Sequence, residues 1–139
     1  MIFNKGSFAT PISVVWGSGM TAAGKLNMLV ADPTVSCGSL WVDNPSDDVL
    51  SSNNFLPNTW IHVVLVYNMG VELMYVNGVL NAAKVDDYSY LKACNTANLK
   101  IGGWWQNDVV SIQGRLDEMR FYDRVLAENE IEKLAEERL

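Results

Sequence analysis

Two tryptophans stand side by side at Trp104 and Trp105, preceded by Gly102-Gly103 and followed at once by Gln106, Asn107 and Asp108. Indole rings stack on the apolar faces of sugars, while amides and carboxylates read hydroxyl groups, so this run is the first candidate for ligand contact. The same composition suits a second role, because aromatics also anchor protein interfaces or plug the end of a β-sandwich. Two other turn-rich stretches carry an aromatic beside oxygen ligands: Asp86-Asp87-Tyr88-Ser89-Tyr90 and Trp41-Val42-Asp43-Asn44. Trp41 reads as a core residue, and the oxygen-rich stretches 43–48 and 86–87 match no defined calcium loop.

Catalytic constellations are thin. The single histidine, His62, lies in the apolar run Trp60-Ile61-His62-Val63-Val64, where a packed and hydrogen-bonded ring is expected rather than a general base. A retaining glycosidase needs two carboxylates about 5 Å apart. The local candidates are Asp117, Glu118 and Asp123. On a strand, Asp117 and Glu118 point to opposite faces, while Asp117 and Asp123 share a face but lie roughly 20 Å apart at strand rise. The chain is therefore read as a non-enzyme. Asp117 shares parity with Met119 and Phe121 on an expected strand over 114–122, so it is an inward carboxylate in need of donors or a cation. A calcium ion is one candidate for that partner and a strand-end hydrogen-bond anchor is the other.

The totals narrow the partners. A net charge of −6 argues against a phosphate-backbone ligand, which needs clustered Lys and Arg. No apolar run approaches the roughly 18–20 residues of a membrane span, and the start Met1-Ile2-Phe3-Asn4-Lys5-Gly6 does not resemble a signal peptide. Cys37 and Cys94 belong to no metal-ligand spacing; a disulfide and two separate buried thiols both remain open. The 139 residues suffice for one domain with one core.

The elements that must position these residues are mostly short strands. Leu26, Met28 and Val30 alternate with Lys25 and Asn27, and Leu99 and Ile101 with Asn98 and Lys100, the period of a half-buried strand. The stretch from Trp60 to Tyr67 is apolar on both faces, which predicts a central strand. A second strand follows from Val71 to Val76, and Asn77-Gly78 supplies a tight hairpin turn into Val79-Leu80. Near the end the period changes: Ala127, Ile131, Leu134 and Ala135 recur at helical spacing, predicting one short amphipathic helix with an acidic solvent face.

Three stretches, taken in order, resemble the concanavalin A-like, laminin-G-like jelly-roll family. They are Leu56-Pro57-Asn58-Thr59-Trp60-Ile61-His62-Val63-Val64, then Val66-Tyr67-Asn68 with Leu73-Met74-Tyr75-Val76-Asn77-Gly78-Val79-Leu80, and finally Leu99-Lys100-Ile101-Gly102-Gly103 with the run from Gly114 to Leu126 and Glu130-Ile131. The resemblance implies one all-β domain over residues 1–139, a two-sheet antiparallel jelly-roll sandwich with a short C-terminal helix. It also implies a non-catalytic module that binds a glycan or a protein ligand, in some members with calcium, in an extracellular or cell-surface setting. Two departures stand out. Members usually begin with further strands, one of them aromatic-rich and placed near the closing strand, whereas here Ile2-Phe3-Asn4-Lys5-Gly6 resembles the strand that comes next. An uncovered sheet edge and core face are the expected consequence, and with them a homodimer or a completed assembly. At the helix start Ala127 stands where Ser is common, so a side-chain cap is expected to be missing.

Overall fold

The structure, a computed structural model, describes residues 1–7, 13–34, 48–91, 98–103 and 111–137. Among the described residues eight strands form two antiparallel sheets. The larger has the spatial order β4 (Val49–Leu50), β3 (Leu26–Val30), β2 (Ser13–Met20), β1 (Phe3–Ser7) and β8 (Asn98–Ile101). The smaller is the meander β5 (Val63–Asn68), β6 (Val71–Val76) and β7 (Val79–Val85). This is the all-β two-sheet antiparallel sandwich that the family resemblance implies.

Local chemistry sets the meander. Asn77 and Gly78 sit at φ 53° and 86°, the two positive-φ positions of the hairpin turn between β6 and β7. Met69 and Gly70, at 48° and 86°, turn β5 into β6 in the same way. The ladder then pairs Val63 with Val76, Leu65 with Met74 and Tyr67 with Glu72, and Glu72 in turn with Lys84. Directly opposed residues share a face, so Val63, Leu65, Tyr67, Glu72, Met74, Val76, Ala82 and Lys84 all look toward the larger sheet.

There they meet Leu26, Met28 and Val49, and this group is the main core. Each fully buried aliphatic side chain in it contributes about 1.5–3 kcal/mol of transfer free energy. The other face of the small sheet presents Val64, Val66, Leu73 and Tyr75 to Leu126, Ile131 and Leu134. Ile131 and Leu134 belong to α1 (Glu128–Glu136), where the helical spacing places it. The helix approaches the β6–β7 turn closely: a Cβ built on Gly78 would lie 3.3 Å from the Ala135 Cβ.

Three expectations are corrected. The run from Trp60 enters its strand only at Val63, with Trp60 exposed, and β5 is an edge strand rather than a central one. Residues 114–122 form no strand, since Glu118 adopts φ 51° and the segment joins neither sheet. An extended segment becomes a strand only when a neighbour offers its N–H and C=O row. No described strand occupies the outer side of β5 to do so. Leu99 and Ile101 do share the inner face with Phe3, their ladder neighbour's row, yet they stay 43% and 51% exposed, with five described strands facing three.

Candidate functional site

The Trp104–Asp108 run itself lies outside the described residues, but the base from which it leaves is well defined. Gly102, at φ 80°, ends β8 with a bend. Its N–H donates to the Ile2 carbonyl at 2.7 Å, and its own carbonyl accepts from the Ile112 N–H at 3.0 Å. These bonds bring Gly102 and Ile112, described residues on either side of 104–110, together at the edge of the larger sheet. Asn4, fully buried on β1, donates its Nδ2 to the Gly103 carbonyl at 2.9 Å and braces the same point. The chain packs so tightly there that a Cβ on Gly17, the ladder partner of Asn4, would fall 2.8 Å from the Phe3 carbonyl oxygen. Asn4 carried no motif in the sequence; the β1 register sets it on the outer face of the larger sheet, opposite to Phe3, where it is nonetheless buried.

After Ile112 the chain crosses from the larger sheet to the outer face of the smaller one, where Leu126 is buried. On the way Phe121 docks on Phe3 and Trp16, with ring centroids 6.3 Å from each, the two β-strand rings being 5.8 Å apart. Leu116, Met119, Phe121, Tyr122 and Val125 nonetheless remain exposed, Phe121 at 56%. Asp117 is exposed as well, and its Oδ1 accepts from the Glu118 N–H at 2.9 Å. The inward carboxylate that argued for a calcium ligand is thus a solvent-facing turn residue. The shared strand face once assigned to Asp117 and Asp123 has no strand to rest on. Asp43 and Asn44 lie outside the described residues, as do Trp41 and the pair Cys37 and Cys94.

His62 immediately precedes β5 and is half-buried. Its backbone is held on both sides by Asn77: the His62 N–H donates to Asn77 Oδ1 at 3.0 Å and its carbonyl accepts from the Asn77 N–H at 2.8 Å. That bracket closes the open end of the β5–β6 hairpin.

Several contacts tie the segment 86–91 to the sandwich. The Asp86 N–H donates to the Gly70 carbonyl at 2.7 Å, Tyr67 Oη to the Tyr88 carbonyl at 3.1 Å, and Tyr88 Oη to Asp32 Oδ2 at 3.2 Å. Another is the ion pair of Lys84 Nζ with Asp86 Oδ1 at 2.7 Å. Beside them lies a group the sequence reading passed over, Glu72. Its parity with Met74 and Val76 was the available signal, for it places a carboxyl on the core face of β6. Glu72 is 0% exposed, and neither carboxyl oxygen receives a donor hydrogen. Burial first, and then the neighbouring Asp86 carboxyl, push the Glu72 carboxyl up to about 9. Burial works against ionisation of Asp86 too, but its hydrogen bond with Glu72 and the Lys84 ammonium outweigh that and hold it below its ordinary value. Asp48, from the chain just before β4, accepts from Asn27 Nδ2 at 3.3 Å and adds negative potential at Glu72.

At the helix, Ala127 is the N-cap and offers no side-chain acceptor, as expected. Glu130 supplies the return half of a capping box instead, accepting from the Ala127 N–H at 2.8 Å. Arg124 donates to both Glu130 carboxylate oxygens at 2.7 Å. The guanidinium first, and the Ala127 N–H second, hold Glu130 down to about 2.

Among the described residues no group of three or more His, Cys, Asp or Glu side chains is arranged to hold a metal ion, and no helix is long and apolar enough to cross a membrane. No curated protein matches the chain. A crystal structure of residues 221–444 of an S-layer domain-containing protein from Clostridium thermocellum shares its fold at 21% identity and a TM-score of 0.50, covering 81% of this chain. The chain spans about half, 52%, of that structure. The laminin-G-type family model of the concanavalin A-like lectin/glucanases superfamily matches residues 6–132, and this chain belongs to that family.

Proposed function

We propose that this chain is a non-catalytic binding module of the cell surface that engages a carbohydrate through Trp104, Trp105, Gln106, Asn107 and Asp108. The observation that carries the reading is the anchoring of the described residues that flank this run. Asn4, Ile2 and Ile112 fix Gly102 and Gly103 at the sheet edge, which gives a rigid mount for ring stacking. Membership in a superfamily of lectins and glucanases supports a sugar as the ligand, and the S-layer neighbour supports a surface location. The catalytic alternative has less support, because Asp117, Glu118 and Asp123 are all exposed outside any strand, so no strand face pairs two of them. The test is a glycan-array screen of the purified chain, run with calcium and again with EDTA. Specific binding that Trp105→Ala abolishes, with folding and oligomeric state unchanged, supports the module; binding lost in EDTA places a calcium ion in or beside the loop. A folded protein that binds no glycan under either condition rejects it.

One observation favours a second reading, an adhesive or assembly role. Among the described residues no strand pairs with the outer side of β5, whose Val63, Val64, Leu65, Val66 and Tyr67 include no charge or proline to guard it, and residues 116–125 expose several apolar side chains. A second copy is the expected partner. Light scattering at micromolar concentration decides: a dimer supports this role and a monomer rejects it.

A further inference from the structure

The inner face of the small sheet holds a carboxyl pair that neither binding role uses. Glu72 on β6 sits between Tyr67 of β5 and Lys84 of β7 in the ladder, with apolar Met74 next on its own face. It is fully buried, and neither oxygen has a donor from the protein. Its hydrogen-bonding neighbour is the carboxyl of Asp86, which Lys84 already holds by an ion pair of 2.7 Å. Two ionised carboxylates have only acceptors to offer each other, so contact between them requires one proton. Lys84 favours the charge on Asp86, which leaves the proton on Glu72.

We propose that a proton held on Glu72 and donated to Asp86 latches segment 86–91 onto the sandwich, so that the docking of this segment is controlled by pH. Asp86 is the first residue of that segment, and Tyr88 and Tyr90 follow within it. The segment's other ties are the Asp86 N–H to the Gly70 carbonyl, the Lys84–Asp86 ion pair, and the hydrogen bonds from Tyr67 to the Tyr88 carbonyl and from Tyr88 to Asp32; none of them satisfies the Glu72 carboxyl. Loss of the proton would set two negative carboxylates against each other in the interior. The charged and titratable groups facing Glu72 are Asp86 and Lys84 from β7 and its exit, Asp48 from the larger sheet and Tyr67 from β5. Of these only Lys84 is positive, and it is already engaged by Asp86. Burial first, then Asp86 and Glu72, raise the Tyr67 hydroxyl, so it stays a neutral donor while Glu72 titrates.

The sign follows from proton counting. Unfolded, Glu72 titrates near 4.5; folded, near 9. Between these values the folded chain binds one more proton than the unfolded chain, so stability is greatest in acid and falls as pH rises toward 9. The full effect of one proton is a tenfold fall in the folding constant per pH unit.

The experiment compares wild type with Glu72→Gln, whose amide donates to Asp86 without titrating. Urea unfolding and amide hydrogen exchange of residues 86–91 are recorded from pH 5 to 10. The expected result is a wild-type folding constant that drops by up to tenfold per unit relative to Glu72→Gln. Segment 86–91 opens in wild type above pH 9 and stays protected in the variant. Parallel profiles for the two proteins overturn the proposal. If Glu72→Gln does not fold, wild-type chain labelled with 13C at the glutamate carboxyls decides. One glutamate carboxyl still neutral at pH 7 supports the latch, and a spectrum in which every glutamate is ionised at pH 7 rejects it.

Discussion

The two halves of the sandwich are built from similar residues and end in opposite states. On the β3–β4 side, Leu26, Met28 and Val49 are covered by Met74 and Val76, and the back of the small sheet is covered in turn by Ile131 and Leu134 of α1. On the β1–β8 side, Phe3, Leu99 and Ile101 share the same inner face, where Phe121 packs on Phe3 but no described strand of the smaller sheet covers Leu99 or Ile101. The apolar side chains are comparable; the number of strands opposite them is not. Burial is therefore a property of the facing layer, and an apolar residue without that layer becomes an adhesive surface instead of a core.

The comparison predicts unequal responses to the same kind of truncation. Met74→Ala opens a cavity in the closed half and is expected to cost about 2–5 kcal/mol in urea unfolding. Ile131→Ala should cost about 2–4 kcal/mol by the same mechanism, since it removes the side chain that seats α1 on the sheet. Phe121→Ala, in the open half, should cost less than about 1.5 kcal/mol, because more than half of that ring is already in water. A stability loss at Phe121 equal to that at Met74 would erase the distinction between the halves. The sharper readout at Phe121 is association: Phe121→Lys should shift light scattering toward monomer, whereas Met74→Ala should change stability without that shift.

The smallest expected effect is at the helix. Glu130→Ala removes both the return to the Ala127 N–H and the Arg124 pair, so the first turn should fray and the melting temperature fall slightly. Because its carboxyl is held down to about 2, the contribution of Glu130 is complete above the ordinary glutamate range and lost as pH falls toward 2. This dependence is opposite in sign to that of Glu72. Thermal melts of the two variants across pH 2–10 should separate the acid-sensitive contact from the alkali-sensitive one.

Much of the local architecture was legible from residue order. Asn77-Gly78 has the chemistry for a hairpin turn, Leu26, Met28 and Val30 have period two, and Ile131, Leu134 and Ala135 have helical spacing; each of these depends on a few neighbours along the chain. The parity of Glu72 with Met74 was equally visible, but parity alone does not say that the facing groups are Asp86 and Asp48, which come from other parts of the chain. Ahead of Trp104, residue order showed only a Gly-Gly break; the anchoring of Gly103 by Asn4 needs the β1–β8 pairing.

What residue order determined by itself was where the chain turns, which side chains share a face, and where the one helix lies. Only the tertiary structure decided that β5 is an edge, that residues 114–122 are not a strand, and that Asp117 faces water. The physical reason is common to all three. Alternation and turn chemistry are properties of adjacent residues, whereas a ladder partner or a covering face is supplied by residues distant in sequence. A strand pattern without such a partner remains an exposed, extended segment.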